Sequence, residues 1–246
     1  MVEVVELSKR YGTKLAVDRL SFTAQPGEVF GLLGPNGAGK TTTLRVLATL
    51  LSPSGGEARV AGFDLRRQPA EVRASIGVVN GGMGLPERLT GREVITHFGR
   101  LYGLGDRAIA RRIGELDRIL DLAPMLNKRA GQFSSGMRQR VTVARALIHD
   151  PPVLFLDEPT ADLDVMARRS VLDFVNSLKG SGKTVLYSTH IMNEVEEVCD
   201  RLAIIDEGKL KVVGALGEVM AGHPGKNLEE VFFSVVGRRS AREVAA

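Results

Sequence analysis

Short apolar runs broken by turns alternate along this chain with longer stretches whose apolar positions recur every three to four residues. Residues 2–33 read as short strands, with turns at Tyr11-Gly12-Thr13 and Gln25-Pro26-Gly27-Glu28. The run Val29-Phe30-Gly31-Leu32-Leu33 leads into a glycine-rich stretch. Residues 41–51 then carry a helical period until Ser52-Pro53-Ser54-Gly55-Gly56 stops it. Further strands are expected at 58–61 and 76–79. Residues 90–148 are largely helical by period, interrupted at Gly103-Leu104-Gly105 and Ala123-Pro124. Asp150-Pro151-Pro152 closes that block, because a residue before proline is pushed out of the helical region. Strands return at 153–156, 185–188 and 202–205 with helical patterns between them. A short helical extension follows His223, with 238–246 expected to fray.

Alternating strands and helices imply an α/β fold with a mostly parallel sheet. A helical block between two sheet-forming stretches implies an inserted subdomain. The expected layout is a core of 1–83 with 150–222, a helical subdomain of 84–149 and an extension of 223–246. A length of 246 residues suits one large domain with such an insert. The net charge of +4 fits phosphate ligands, nucleic acid, an anionic membrane surface or simply a solvated basic surface. One cysteine, Cys199, excludes an internal disulfide and reads as a packing residue in a reducing compartment. The first residues carry no charged-then-apolar leader, and no apolar run approaches the ~20 residues of a membrane helix, so a cytoplasmic chain is expected.

The chemistry concentrates at strand ends. Gly34-Pro35-Asn36-Gly37-Ala38-Gly39-Lys40-Thr41 satisfies G-x-x-x-x-G-K-[ST] between a strand and a helix. Its glycines let backbone N–H groups converge on phosphate oxygens at a helix N-terminus. Lys40 should reach the β- and γ-phosphates, and the Thr41 hydroxyl should ligate Mg²⁺. Val153-Leu154-Phe155-Leu156-Asp157-Glu158 is an apolar strand ending in two carboxylates, at the sheet edge where such folds bind ligands. Asp157 is the candidate Mg²⁺ partner, and Glu158 the candidate base for the attacking water. His190, after the strand 185–188, could hydrogen-bond the γ-phosphate and help hold Glu158. Phe133-Ser134-Ser135-Gly136-Met137-Arg138-Gln139 is a small-residue turn opening a basic helix, and thus a second phosphate grip.

Together these motifs resemble the ATP-binding cassette (ABC) family over about residues 2–215. Gly34–Thr41 looks like the Walker A loop, Phe133–Gln139 like the signature and Leu156–Glu158 like Walker B. Ala161-Asp162-Leu163-Asp164 looks like the D-loop and His190 like the switch histidine. The resemblance implies a P-loop NTPase cassette: a RecA-like core, an antiparallel N-terminal β subdomain and an inserted helical subdomain. It adds Tyr11 as an aromatic stacking on adenine, Val17 as a weaker adenine contact, and Asn36 to Thr42 as the ATP cradle. It also implies a head-to-tail homodimer, in which ATP lies between one Walker A loop and Ser134, Ser135, Gly136 and Met137 of a second copy. A separate membrane permease would anchor the pair at the inner face of the cell membrane.

The chain departs from the family pattern in places. Ser135 replaces the first signature glycine and Met137 the glutamine, so backbone donors are kept while ribose contacts weaken. Gly81 stands where the family usually carries a glutamine, and Asn80-Gly81-Gly82 reads as a turn. That variant, with Leu85 to Thr90, Phe98 to Gly103 and the tail Leu228 to Phe232, resembles sodium-extrusion cassettes among exporters with a separate permease; export of a drug or other cargo is the alternative. A soluble ABC ATPase of DNA repair or translation usually carries a long coiled coil or two cassettes. The short insert, the single glycine loop, and a chain with no Trp and three Tyr argue against it and against nucleic acid.

Overall fold

The computed structural model describes residues 1–80 and 84–237. The notes on Gly81 and Gly82 and the fraying of 238–246 therefore lie outside the described residues. Strands β1 (Val2–Tyr11) and β2 (Lys14–Ala24) form a hairpin around Gly12. They are followed by β3 (Val29–Leu33), α1 (Lys40–Leu47), β4 (Gly55–Val60), β5 (Phe63–Asp64), α2 (Pro69–Ala74) and β6 (Ile76–Asn80). The helical insert comprises α3 (Gly91–Leu101), α4 (Asp106–Leu120), α5 (Ala123–Leu126) and α6 (Ser135–Leu147). The chain returns through β7 (Val153–Asp157), α7 (Val165–Ser177), β8 (Thr184–Thr189), α8 (Met192–Val198), β9 (Arg201–Asp206), β10 (Lys209–Ala215), α9 (Leu216–Ala221) and α10 (Leu228–Val236).

Two sheets organise these elements. One is antiparallel in the order β2-β1-β4-β5. The other runs β10-β9-β3-β8-β7-β6, parallel except for the β9–β10 pair. Every residue of β3, β7 and β8 is buried, as continuous apolar runs covered on both faces require. Helix α1 lies between the sheets, with Leu44, Val46 and Leu47 in one core with Leu7, Phe155 and Leu186. A second core joins the helical insert to the other face through Ile113, Leu116, Val141, Leu156 and Val175.

Three expectations shift. The first helix stops at Leu47 rather than running to 51, because Thr49 takes a left-handed φ of 60°. Ala123-Pro124 opens α5 instead of breaking it, since proline is tolerated in a helix's first turn. The edge strand β10 and helix α9 lie where no element was expected: β10's exposure alternates without a continuous apolar run. Cys199 is buried against Gly31, where an added Cβ would meet its Sγ at 2.8 Å. Burial pushes its thiol pKa well up, which makes it a packing residue.

The junction of α3 with the end of α6 carries a pH liability. His149 stacks on Tyr102 with ring centroids 3.5 Å apart and bonds the Ile76 carbonyl at 3.0 Å. Burial lowers its pKa to about 4, although the Ile76 carbonyl acts in the other direction. The unfolded chain therefore binds this proton first, and stability is lost as pH falls from about 6.5 toward 4. Urea unfolding at pH 7 and pH 5 checks this: His149→Phe, which keeps the stack, should lose less stability between the two than the parent chain.

Candidate functional site

The site forms where β3, β7 and β8 present their carboxyl ends, the edge at which parallel sheets bind ligands. Backbone geometry makes the loop between β3 and α1. Gly39 has φ +106°, and a Cβ there would lie 2.6 Å from the Ala16 carbonyl. A Cβ on Gly34 would lie 2.2 Å from the Ile205 carbonyl. Only glycine fits either position. Gly34 takes its place by donating its N–H to the Thr189 carbonyl, so the loop is tied to the end of β8.

Lys40, 3 % exposed, turns back into the loop and donates to the carbonyls of Gly34 (2.7 Å) and Pro35 (3.1 Å). Its Nζ also lies 3.3 Å from Glu158 Oε1. Burial lowers the ammonium's pKa, while Glu158 and then Asp157 oppose that shift. On α1, Thr41 Oγ1 donates to Asp157 Oδ1 at 3.0 Å, and Ser188 Oγ donates to the same oxygen at 2.6 Å. Asp157 is thus buried and held by one hydroxyl from the phosphate loop and one from β8. Glu158 adopts a left-handed φ of 46°, uncommon for a residue with a Cβ, and its N–H is shared between the Ser188 carbonyl and hydroxyl. That kink turns the carboxylate toward the loop. His190 Nδ1 approaches Glu158 Oε1 at 3.4 Å without hydrogen-bond geometry.

A cavity of about 270 Å³ opens over the loop, lined by Tyr11, Lys14, Ala16, Glu158 and the run from Asn36 to Thr42. Tyr11 is half exposed, with Lys9 Nζ 5.3 Å from its ring centroid. Val17 is not among the lining residues. Strand alternation turns it into the core, fully buried, and Ala16 takes its place at the cavity. A larger cavity of about 480 Å³ lies elsewhere, behind the signature turn between α4, α6 and α7.

The signature turn does not line the phosphate-loop cavity. Ser134 caps α6 by accepting from the Met137 N–H at 3.3 Å, and Ser134 and Ser135 are exposed. Gly136 packs on α7, where an added Cβ would meet Ala167 Cβ at 3.1 Å. Gln139, in the same helix, donates to the Pro159 carbonyl at 2.7 Å and ties the turn to the loop after Glu158. Asp164 caps α7 through the Ala167 N–H at 2.9 Å. Asn80 sits level with Asp157 on the adjacent strand. Ser188, Lys14 and Ala16 were missed as site residues. Ser188 and Ala16 lie inside strand patterns whose local sequence says nothing about what meets their ends.

The family model described as "ABC transporter" matches residues 17–161. The chain is 44 % identical over 239 residues to the ABC transporter ATP-binding protein NatA of Bacillus subtilis (strain 168), covering 95 % of this chain and 97 % of that protein. This chain belongs to the ABC transporter family. It is an ATP-binding, ATP-hydrolysing cassette. The cassette is also 44 % identical to a daunorubicin resistance ATP-binding protein of Streptomyces coeruleorubidus, covering 91 % of this chain and 71 % of that one. It is 41 % identical to Nod factor export ATP-binding protein I of Paraburkholderia xenovorans (strain LB400), covering 94 % and 76 %. Among solved structures, an ATP-binding subunit of an ABC transporter superposes with a TM-score of 0.87 at 31 % identity, covering 96 % of this chain and all of that one. A dimeric post-hydrolysis state of an ATP-binding cassette, bound to ADP and Pi, superposes with a TM-score of 0.78 at 26 % identity, covering 88 % and 99 %.

Proposed function

We propose that this cassette is the ATP-hydrolysing motor of an exporter whose permease is a separate chain, with Na⁺ as one candidate cargo and a drug-like molecule as the other. The observation that carries the reading is the Glu158 carboxylate at the mouth of the phosphate loop, with Lys40 Nζ at 3.3 Å and His190 Nδ1 at 3.4 Å from its Oε1. The loop N–H groups from Asn36 to Thr42 would cradle the phosphates, with adenine against Tyr11. Lys40 exchanges its bond to Glu158 for the β- and γ-phosphates. Glu158 then takes the proton of the attacking water as its oxygen bonds to the γ-phosphorus and the bond to ADP breaks. His190 orients Glu158 and the γ-phosphate.

The paired oxygens of Thr41 and Asp157, 3.0 Å apart, are the hard donors Mg²⁺ prefers. Bound there, Mg²⁺ would neutralise phosphate charge. Two copies would pack head to tail, with Ser134, Ser135, Gly136 and Met137 of one copy completing the ATP site of the other through the N-terminus of α6. The working divisions would be 1–83 with 150–222 as the core, 84–149 as the helical arm and 223–246 as an extension. Among the described residues no helix is long and apolar enough to cross a membrane. The permease would therefore hold the cassette at the inner membrane face.

Lys40→Ala tests the phosphate assignment. It removes a charged donor, so ATP affinity should fall on the order of ten- to a hundredfold. Equilibrium binding of ATP reads this out. An unchanged affinity would remove Lys40 from the site.

A further inference from the structure

A buried carboxylate outside the phosphate loop gathers the loops that carry the proposed chemistry. Glu194, on α8, is 2 % exposed. Its Oε1 accepts from Thr160 Oγ1 at 2.7 Å. Its Oε2 accepts from Thr189 Oγ1 at 2.7 Å and from Tyr187 OH at 3.0 Å. The Arg168 guanidinium of α7 stands 3.8 Å from Oε1. Burial, and then Glu194 itself, push the Tyr187 phenol's pKa well up, so the phenol remains a donor.

Thr160 lies two residues after Glu158, and Thr189 lies one residue before His190. Thr189 Oγ1 also accepts from the Ile191 N–H at 3.0 Å, which locks the turn holding His190. Each of the three hydroxyls donates its one proton to Glu194, so the direction of all three bonds is set. A buried charge is a poor source of stability compared with an apolar side chain of the same volume. What a carboxylate provides here is an acceptor reachable from two loops at once. We propose that Glu194 is a positioning residue: it holds the Glu158 loop and the His190 turn in one register, and Arg168 links that register to the helix capped by Asp164. The inference rests on the roles given above to Glu158 and His190.

The test uses the full chain, steady-state ATPase and equilibrium ATP binding. Glu194→Gln keeps the shape but reverses at least one donor. It should lower kcat on the order of ten- to a hundredfold, as small misplacements of catalytic groups do, with ATP affinity nearly unchanged. The loss should shrink sharply in a His190→Ala background, because residues acting through one another are not additive. Thr160→Val and Thr189→Val each remove one donor at constant shape. They should lower kcat in the same non-additive way and stand in if Glu194→Gln does not fold. An unchanged kcat, or an equal fold loss with and without His190, would overturn the positioning role. Full turnover in His190→Ala and Glu158→Gln themselves would instead overturn the assignment on which it rests.

Discussion

Glu158→Gln is expected to bind ATP as the parent chain does and to lose nearly all turnover. The amide keeps the side chain's size beside Lys40 and His190 but cannot take a proton from water. Loss of a general base costs on the order of 10²–10⁴ in rate. The substitution also removes the negative charge 3.3 Å from Lys40, so the γ-phosphate meets less repulsion at the loop. Bound ATP should then persist, and any assembly that ATP holds together should accumulate. Single-turnover hydrolysis measured beside ATP affinity separates the two effects. Turnover near the parent rate would remove Glu158 as the base.

Gly136→Asp should abolish steady-state hydrolysis while leaving ATP binding to the isolated cassette intact. The new Cβ would press on Ala167 Cβ at 3.1 Å, and the carboxylate would sit in the first turn of α6, where the proposed dimer needs a phosphate. A helix N-terminus that has acquired its own anion no longer attracts another. Losing preorganised donors at a transferring phosphoryl group costs on the order of 10²–10³ in rate. The binding assay matters here because the turn lies outside the cavity over the phosphate loop. A variant that lost ATP affinity as well would have failed locally.

What could be read from the chain was local. The phosphate loop announces itself because strand, glycines, Lys40 and helix are contiguous, and their spacing fixes the geometry. Buried parallel strands were visible as unbroken apolar runs. Contacts closed by tertiary packing were not. Ser188 and Thr41 meet on Asp157 from different elements, and Gln139 reaches Pro159 across 20 residues. Glu194 looks in sequence like one more acid in Asn193-Glu194-Val195-Glu196-Glu197. It is the one acid of that group that the fold buries completely. Val17 failed for the opposite reason: alternation along β2 sends neighbours to opposite faces, and it is Ala16 that faces the cavity.

In the proposed dimer, ATP is clamped between the phosphate loop of one copy and the signature turn of another. Light scattering on Glu158→Gln, with and without MgATP, tests it most directly. A species of one 26.5 kDa chain is expected without nucleotide, twice that mass with MgATP, and no doubling when Gly136→Asp is added although ATP still binds. A mass indifferent to ATP, or a dimer that survives Gly136→Asp, would contradict it.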